Sequence, residues 1–152
     1  MKQAMTSAVN ANFNQYCRSG GEIGLVEQIA KHYEPLVGRK IDALTEVTTS
    51  VGATEALFAI TQALLNDGDE VVFLEPAFDI YPAQVQMAGG VSKYVPLRLN
   101  KDLVWTLDMN EIEAAITPKT KLIVLNTPHN PTGKVLSSTE LEDIASILKR
   151  YA

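Results

Sequence analysis

The chain has 152 residues, 46% of them hydrophobic and 20% charged, and a net charge of -5. That is the composition of a soluble globular domain long enough to bury a core, and its scattered Lys and Arg give no basic footprint for nucleic acid. The single cysteine, Cys17, excludes an internal disulfide framework and a multi-cysteine zinc site.

No apolar run reaches membrane length, and the opening MKQAMTSAVN has no signal core. The expectation is therefore a protein of the cytoplasm or mitochondrial matrix, with no nucleic-acid or membrane partner. His32 and His129 lack metal-ligand spacing, so no metal is expected.

Residues 1–14 carry Met5, Ala8 and Val9 at helical spacing, and the glycines of Gln15 to Gly21 predict a turn. Leu25, Val26, Ile29, Ala30, Tyr33, Leu36 and Val37 form a helical stripe, with Gly38 as its stop and Pro35 in its last turn. Val47 to Val51 reads as a short strand. Gly52 follows, and Ala53 opens a helix running to about Leu65. Strand, glycine and helix N-terminus make an anion site, because the first N–H groups of a helix lack internal partners and its dipole favours negative charge there. Gly52 lets a phosphate approach the backbone, and Thr54 can add a hydroxyl. Ordinary strand-to-helix punctuation is the plainer reading.

Asn66-Asp67-Gly68-Asp69 is a turn, and Glu70 to Leu74 a buried strand that leads into Glu75-Pro76-Ala77-Phe78. A short helix ends at Met87 to Gly90, and Val91 to Leu97 is the next strand. Residues 98–107 read as a polar connector. Asp108 to Glu111 is a capping-box pattern ahead of a helix with Ile112, Ala115 and Ile116 inward. Ser137 to Glu140 is a second capping box, before a helix that buries Leu141, Ile144, Ala145 and Leu148. Strands and helices alternate, which predicts an α/β fold: a mostly parallel sheet with helices on both faces.

Between these caps lies LIVLNTPHNPTGKV, Leu122 to Val135. The run Leu122 to Leu125 has the length of a buried strand. Two prolines and a glycine then hold Asn126 and Asn130 on a stiff loop past a strand's carboxyl end, where open α/β sheets bind ligands.

Asn126-Thr127-Pro128-His129 followed by Asn130-Pro131-Thr132-Gly133 resembles the signature of the class I/II aminotransferases, the fold-type-I enzymes that use pyridoxal 5'-phosphate (PLP). Ser50 to Ala56 resembles that family's phosphate-binding turn. Gly68-Asp69-Glu70-Val71 with Glu75-Pro76, Phe78 and Tyr81 resembles the segment that brings an aromatic ring onto the cofactor. QYCRSGG ahead of a helix ending in LVGR is similar to the kynurenine aminotransferase, glutamine transaminase K and cysteine-S-conjugate β-lyase branch. The resemblance spans residues 1–152.

On this resemblance the cofactor is PLP. Gly52, Ala53 and Thr54 would hold its phosphate, Phe78 would stack on its pyridine, and Asn130, with Asn126 beside it, would bond its phenolic oxygen. Glu22 aligns with a tyrosine that reaches the partner subunit's phosphate in some members, and no role is assigned to it. Residues 1–45 would be N-terminal helices, and 46–152 the first part of the large domain. The Schiff-base lysine, the Asp at the pyridine nitrogen and the Arg for the substrate carboxylate have no counterpart here, so no catalytic residue is assigned. A truncated product or a piece of a longer polypeptide is expected. The full enzyme would be a homodimer moving an amino group from an L-amino acid to a 2-oxo acid. The rival reading is a non-catalytic remnant or interaction domain. A Rossmann nucleotide domain is disfavoured because GxGxxG is absent.

Overall fold

A computed structural model describes residues 1–151. Two compact units divide within one helix: Met1–Ala56 and Leu57–Ala152.

The first unit holds α1 (Lys2–Asn10), α2 (Ile23–Val37) and the start of α3 (Gly52–Leu64). The Glu22 carboxylate caps α2 by accepting from the Leu25 N–H at 3.0 Å, and Gly38 ends it at φ 70°. Only Val26 and Ala30 of the predicted α2 stripe are buried, while Leu25, Tyr33, Leu36 and Val37 stay exposed.

The predicted strand at residues 47–51 does not form. A strand needs a neighbour to take its N–H and C=O groups. No strand pairs with this segment among the described residues; instead Thr49 N–H bonds the Gly20 carbonyl at 3.0 Å, and Val51 N–H bonds the Glu55 carboxylate.

The second unit is built on a three-stranded parallel sheet. In chain order it holds β1 (Glu70–Glu75), α4 (Ile80–Met87), β2 (Val91–Pro96), β3 (Arg98–Leu99), β4 (Trp105–Thr106), α5 (Met109–Ala115), β5 (Thr120–Val124) and α6 (Ser138–Leu148). The order across the sheet is β2-β1-β5, so β1 is central. Val71, Val72, Phe73 and Leu74 are all buried, as expected of a strand covered on both faces.

Alternate residues of β1 serve different faces. Val72 and Leu74 pack with Val95, Ile112 of α5 and Ile144 and Ile147 of α6. Val71 and Phe73 pack with Leu65 and Val85 of α4 on the other face. Helices thus cover both faces, as the alternation of elements predicts.

Three expectations are corrected here. The connector at 98–107 contains a hairpin, with Arg98 opposite Thr106 and Leu99 opposite Trp105. Its turn is held by the Asn100 side chain, which accepts from Asp102 and Val104 N–H groups at 2.9 Å each. Second, β5 is only half-buried and ends at Val124, leaving Leu125 exposed, because it pairs with a neighbour on one side alone among the described residues. Third, α6 buries Ile144 and Ile147, while Leu141, Ala145 and Leu148 of the predicted stripe remain exposed.

Of the two capping boxes, Ser137 and Glu140 form theirs in full. Asp108 caps α5 through the Asn110 N–H at 2.9 Å, but Glu111 turns outward to Arg98 at 2.7 Å.

Urea unfolding tests this packing. Ile144→Ala empties a fully enclosed position and is expected to cost about 2–5 kcal/mol, and Ser137→Ala removes one cap at about 1 kcal/mol.

Candidate functional site

The strand order places the second unit's loops at a defined point. The connection after β1 runs through α4 on one face, and α6, which follows β5, lies on the other. The carboxyl ends of β1 and β5 therefore flank a topological switch point, the position where open α/β sheets bind ligands. Phe78 follows β1 and Asn126 to Gly133 follow β5, so the sheet brings these two predicted segments to one edge.

Phe78 is 37% exposed. Tyr81 meets its ring edge-on, with centroids 5.5 Å apart at 75°, and Tyr81 in turn lies 6.4 Å from the buried Phe73. The ring is thus braced from the core while still reaching solvent.

The loop after β5 satisfies its own polar groups. Asn126 Oδ1 accepts from the Asn130 N–H at 2.8 Å. Thr127 Oγ1 accepts from Leu136 N–H at 3.0 Å. His129 N–H donates to the Lys134 carbonyl, and Gly133 N–H donates to the His129 carbonyl, both at 2.7 Å. The Thr127–Pro128 and Asn130–Pro131 peptides are cis, as is Glu75–Pro76. Asn130 itself is exposed, and its side-chain amide takes no hydrogen bond among the described residues. Asn126 also has a part within the loop. Its oxygen holds the Asn130 backbone, so it orients the loop.

Two side chains that the sequence left without a role anchor this loop. The His129 ring is buried, with Nδ1 2.8 Å from Thr132 Oγ1. Burial holds its pKa below the usual imidazole value, outweighing a smaller opposing effect of the Leu74 backbone. Lys134 is nearly buried. Its ammonium pairs with Glu140 at 2.7 Å and donates to the Trp105 carbonyl at 3.1 Å. The lysine nearest the signature is therefore a structural pin. Proline on both sides of the His129-Asn130 pair was the signal in the sequence that this histidine sits in a fixed loop.

In the first unit, Gly52, Ala53 and Thr54 are exposed at the start of α3. Gly52 has φ 78°, a conformation glycine adopts freely, and open space surrounds its Cα. Ser50 shapes the turn: its carbonyl accepts from Gly52 N–H at 2.8 Å and its hydroxyl donates to the Gly52 carbonyl at 3.0 Å. A cleft of about 350 Å³ opens here, with Arg18, Thr49, Ser50 and Glu55 in its lining. The Arg18 guanidinium donates to the Leu44 carbonyl at 2.6 Å. A larger groove of about 500 Å³, lined by Asn12 to Ile23 residues, contains none of the predicted site residues. Glu22 is committed to capping α2.

The sequence matches the family described as Aminotransferase class I and II over residues 1–152. The chain belongs to this family. It is 42% identical to kynurenine--oxoglutarate transaminase of Dictyostelium discoideum, covering 99% of this chain and 38% of the relative. It is also 42% identical to kynurenine--oxoglutarate transaminase 1 of Rattus norvegicus, over 98% of this chain and 38% of that protein. Among solved structures it resembles N-succinyldiaminopimelate aminotransferase of Mycobacterium tuberculosis, with TM-score 0.88 and 41% identity over 95% of this chain and 38% of the other. It also resembles aspartate aminotransferase of Thermus thermophilus, with TM-score 0.89 and 34% identity over 99% and 38%. The chain thus spans under two-fifths of the length of these aminotransferases. No helix of the described residues is long and apolar enough to cross a membrane, and no cluster of metal-ligating side chains occurs among them.

Each unit, taken by itself, carries groups that suit one part of a phosphorylated aromatic cofactor. An open glycine turn at a helix start suits a phosphate, an exposed braced ring suits stacking, and an uncommitted amide suits a phenolate oxygen.

His129 makes stability depend on pH. The unfolded chain binds a proton on this ring as pH falls through about 6.5, while the folded chain resists it, so stability falls with pH there and levels off below the lowered folded value. Urea unfolding at about pH 7.5 and about pH 5.5 is expected to show a larger loss for the wild type than for His129→Gln, which has no group titrating in that range.

Proposed function

We propose that this chain is part of a PLP-dependent aminotransferase that transfers an amino group from an L-amino acid of the kynurenine, glutamine or aromatic type to a 2-oxo acid. The observation that carries this reading is the placing of Phe78 and Asn130 at the β1 and β5 carboxyl ends, in a chain matched by the aminotransferase family throughout. The names of the relatives support the substrate class.

Gly52, Ala53 and Thr54 would bind the phosphate, Phe78 would stack on the ring, and the Asn130 amide would donate to the phenolic oxygen. Asn126 would hold Asn130 in place. PLP, when bound, supplies an electron sink for the substrate's α-carbon. The residues of this chain bind and orient. The lysine that would carry the cofactor covalently and the arginine for the substrate carboxylate are not among the 152 residues, so this segment alone is expected to bind without transaminating. We further propose residues 1–45 as N-terminal helices leading into a large domain begun by 46–152, and a homodimer of the cytoplasm or mitochondrial matrix for the whole enzyme. The alternative reading is a non-catalytic truncated remnant or interaction domain with at most PLP or phosphate binding.

Absorbance titration with PLP is the test of the site. Asn130→Ala removes a bond to a charged oxygen and is expected to weaken binding about tenfold or more. Phe78→Ala removes one stacking face and is expected to weaken it about two- to tenfold. The activity is tested on the polypeptide isolated from its natural source, given PLP, L-kynurenine and 2-oxoglutarate. Glutamate formation supports the aminotransferase; PLP binding with no glutamate supports the remnant.

A further inference from the structure

We propose that Lys134 is a positioning residue whose ammonium couples the β3–β4 hairpin to the loop that carries Asn130. The coupling deepens, and rests on, the reading of Asn130 as a cofactor ligand.

The loop first closes on itself. His129 N–H donates to the Lys134 carbonyl and Gly133 N–H to the His129 carbonyl, both at 2.7 Å. Lys134 N–H donates to Thr132 Oγ1 at 3.3 Å, and that oxygen lies 2.8 Å from His129 Nδ1. Each of these bonds joins residues of the loop itself, so they fix its shape and not its place. Asn130 sits within the closed segment, directly after His129.

The Lys134 side chain reaches outside that segment. Its ammonium donates to the Trp105 carbonyl of β4 at 3.1 Å and pairs with Glu140 of α6 at 2.7 Å. Only 9% of the side chain is exposed. A buried ammonium is costly unless its donors meet acceptors, and a long stem loses rotamer freedom when it is fixed. Here the ammonium meets a carboxylate and a carbonyl, each from a different element. The residue whose backbone closes the loop is therefore also the one whose side chain ties the loop to its surroundings.

The hairpin is the fixed side of this link. Trp105 packs against the apolar cluster that holds Val72, Leu74 and Ile144. Thr106 Oγ1 donates to the Arg98 carbonyl at 2.9 Å, and Arg98 pairs with Glu111 of α5 at 2.7 Å. The Asn100 side chain closes the turn. A cleft of about 300 Å³ opens between that turn and the loop, with Leu103, Val104, Gly133 and Val135 in its lining. The two segments are not tightly packed there, and the ammonium spans them.

A double-mutant cycle tests the coupling. Asn100→Ala loosens the turn at an exposed position outside the loop. Lys134→Met keeps an unbranched stem and removes the ammonium. Amide hydrogen exchange on the ligand-free chain is expected to quicken about threefold at His129 and Gly133 in Asn100→Ala and about tenfold in Lys134→Met, with the β1 amides unchanged. In the double variant Asn100→Ala is expected to add nothing to Lys134→Met. PLP affinity is expected to follow the same pattern, weakening about threefold and about tenfold in the single variants. Wild-type exchange at His129 and Gly133 in Asn100→Ala overturns the coupling, and so does an equal effect of Asn100→Ala with and without Lys134. Wild-type PLP affinity in Lys134→Met overturns the positioning role. Where Lys134→Met also loses protection in β1, Asn100→Ala alone decides: quickened exchange at His129 and Gly133 supports the coupling, and wild-type exchange overturns it. If the wild type binds no PLP while the exchange cycle holds, the coupling stands and the cofactor reading fails.

Discussion

Everything in the second unit depends on β1 being bonded on both sides. Its odd residues bond to β2 and its even ones face β5. The same alternation sends Val72 and Leu74 into one apolar cluster and Val71 and Phe73 into the other. A single strand thereby commits helices to both faces and puts the connections leaving β1 and β5 on opposite sides. The switch point at their carboxyl ends follows from that topology, before any functional side chain is considered.

The loops at that edge are rigid for a second reason. Backbone groups there cannot join a ladder, so side chains take over. Asn126, Thr127, Thr132 and His129 bond the loop's own backbone or one another, and the Lys134–Glu140 pair clips it to the capped start of α6. Glu140 serves both Lys134 and the Ser137 cap, so the loop and the helix after it are fixed by one carboxylate. Among the described residues the Asn130 amide takes no hydrogen bond, and it is a group that a ligand oxygen would need.

Much of this was legible in the sequence. The four-residue apolar core of β1, the Gly38 stop and the Ser137 to Glu140 box each rest on local chemistry, and each forms as read. The failures share a cause. Residues 47–51 have strand composition, but a strand is a property of two segments, and no strand pairs with this one among the described residues. The Leu122 to Leu125 run was expected to be buried, yet β5 sits at the sheet's edge. The hairpin at 98–107 escaped notice because two-residue strands leave no alternation to see; its signature is the Asn100 side chain closing the turn. His129 escaped because its burial and its pairing with Thr132 arise from how the loop folds back on itself, which no local pattern spells out.

The central claim is that the β1 and β5 edge receives the ring of PLP. A crystal structure of the chain determined with PLP tests it most directly. The account predicts the pyridine ring stacked on Phe78, with the Asn130 amide nitrogen within about 3 Å of the phenolic oxygen. A ring bound away from Phe78 and Asn130, or a cofactor that never appears at this edge at saturating concentration, would contradict it.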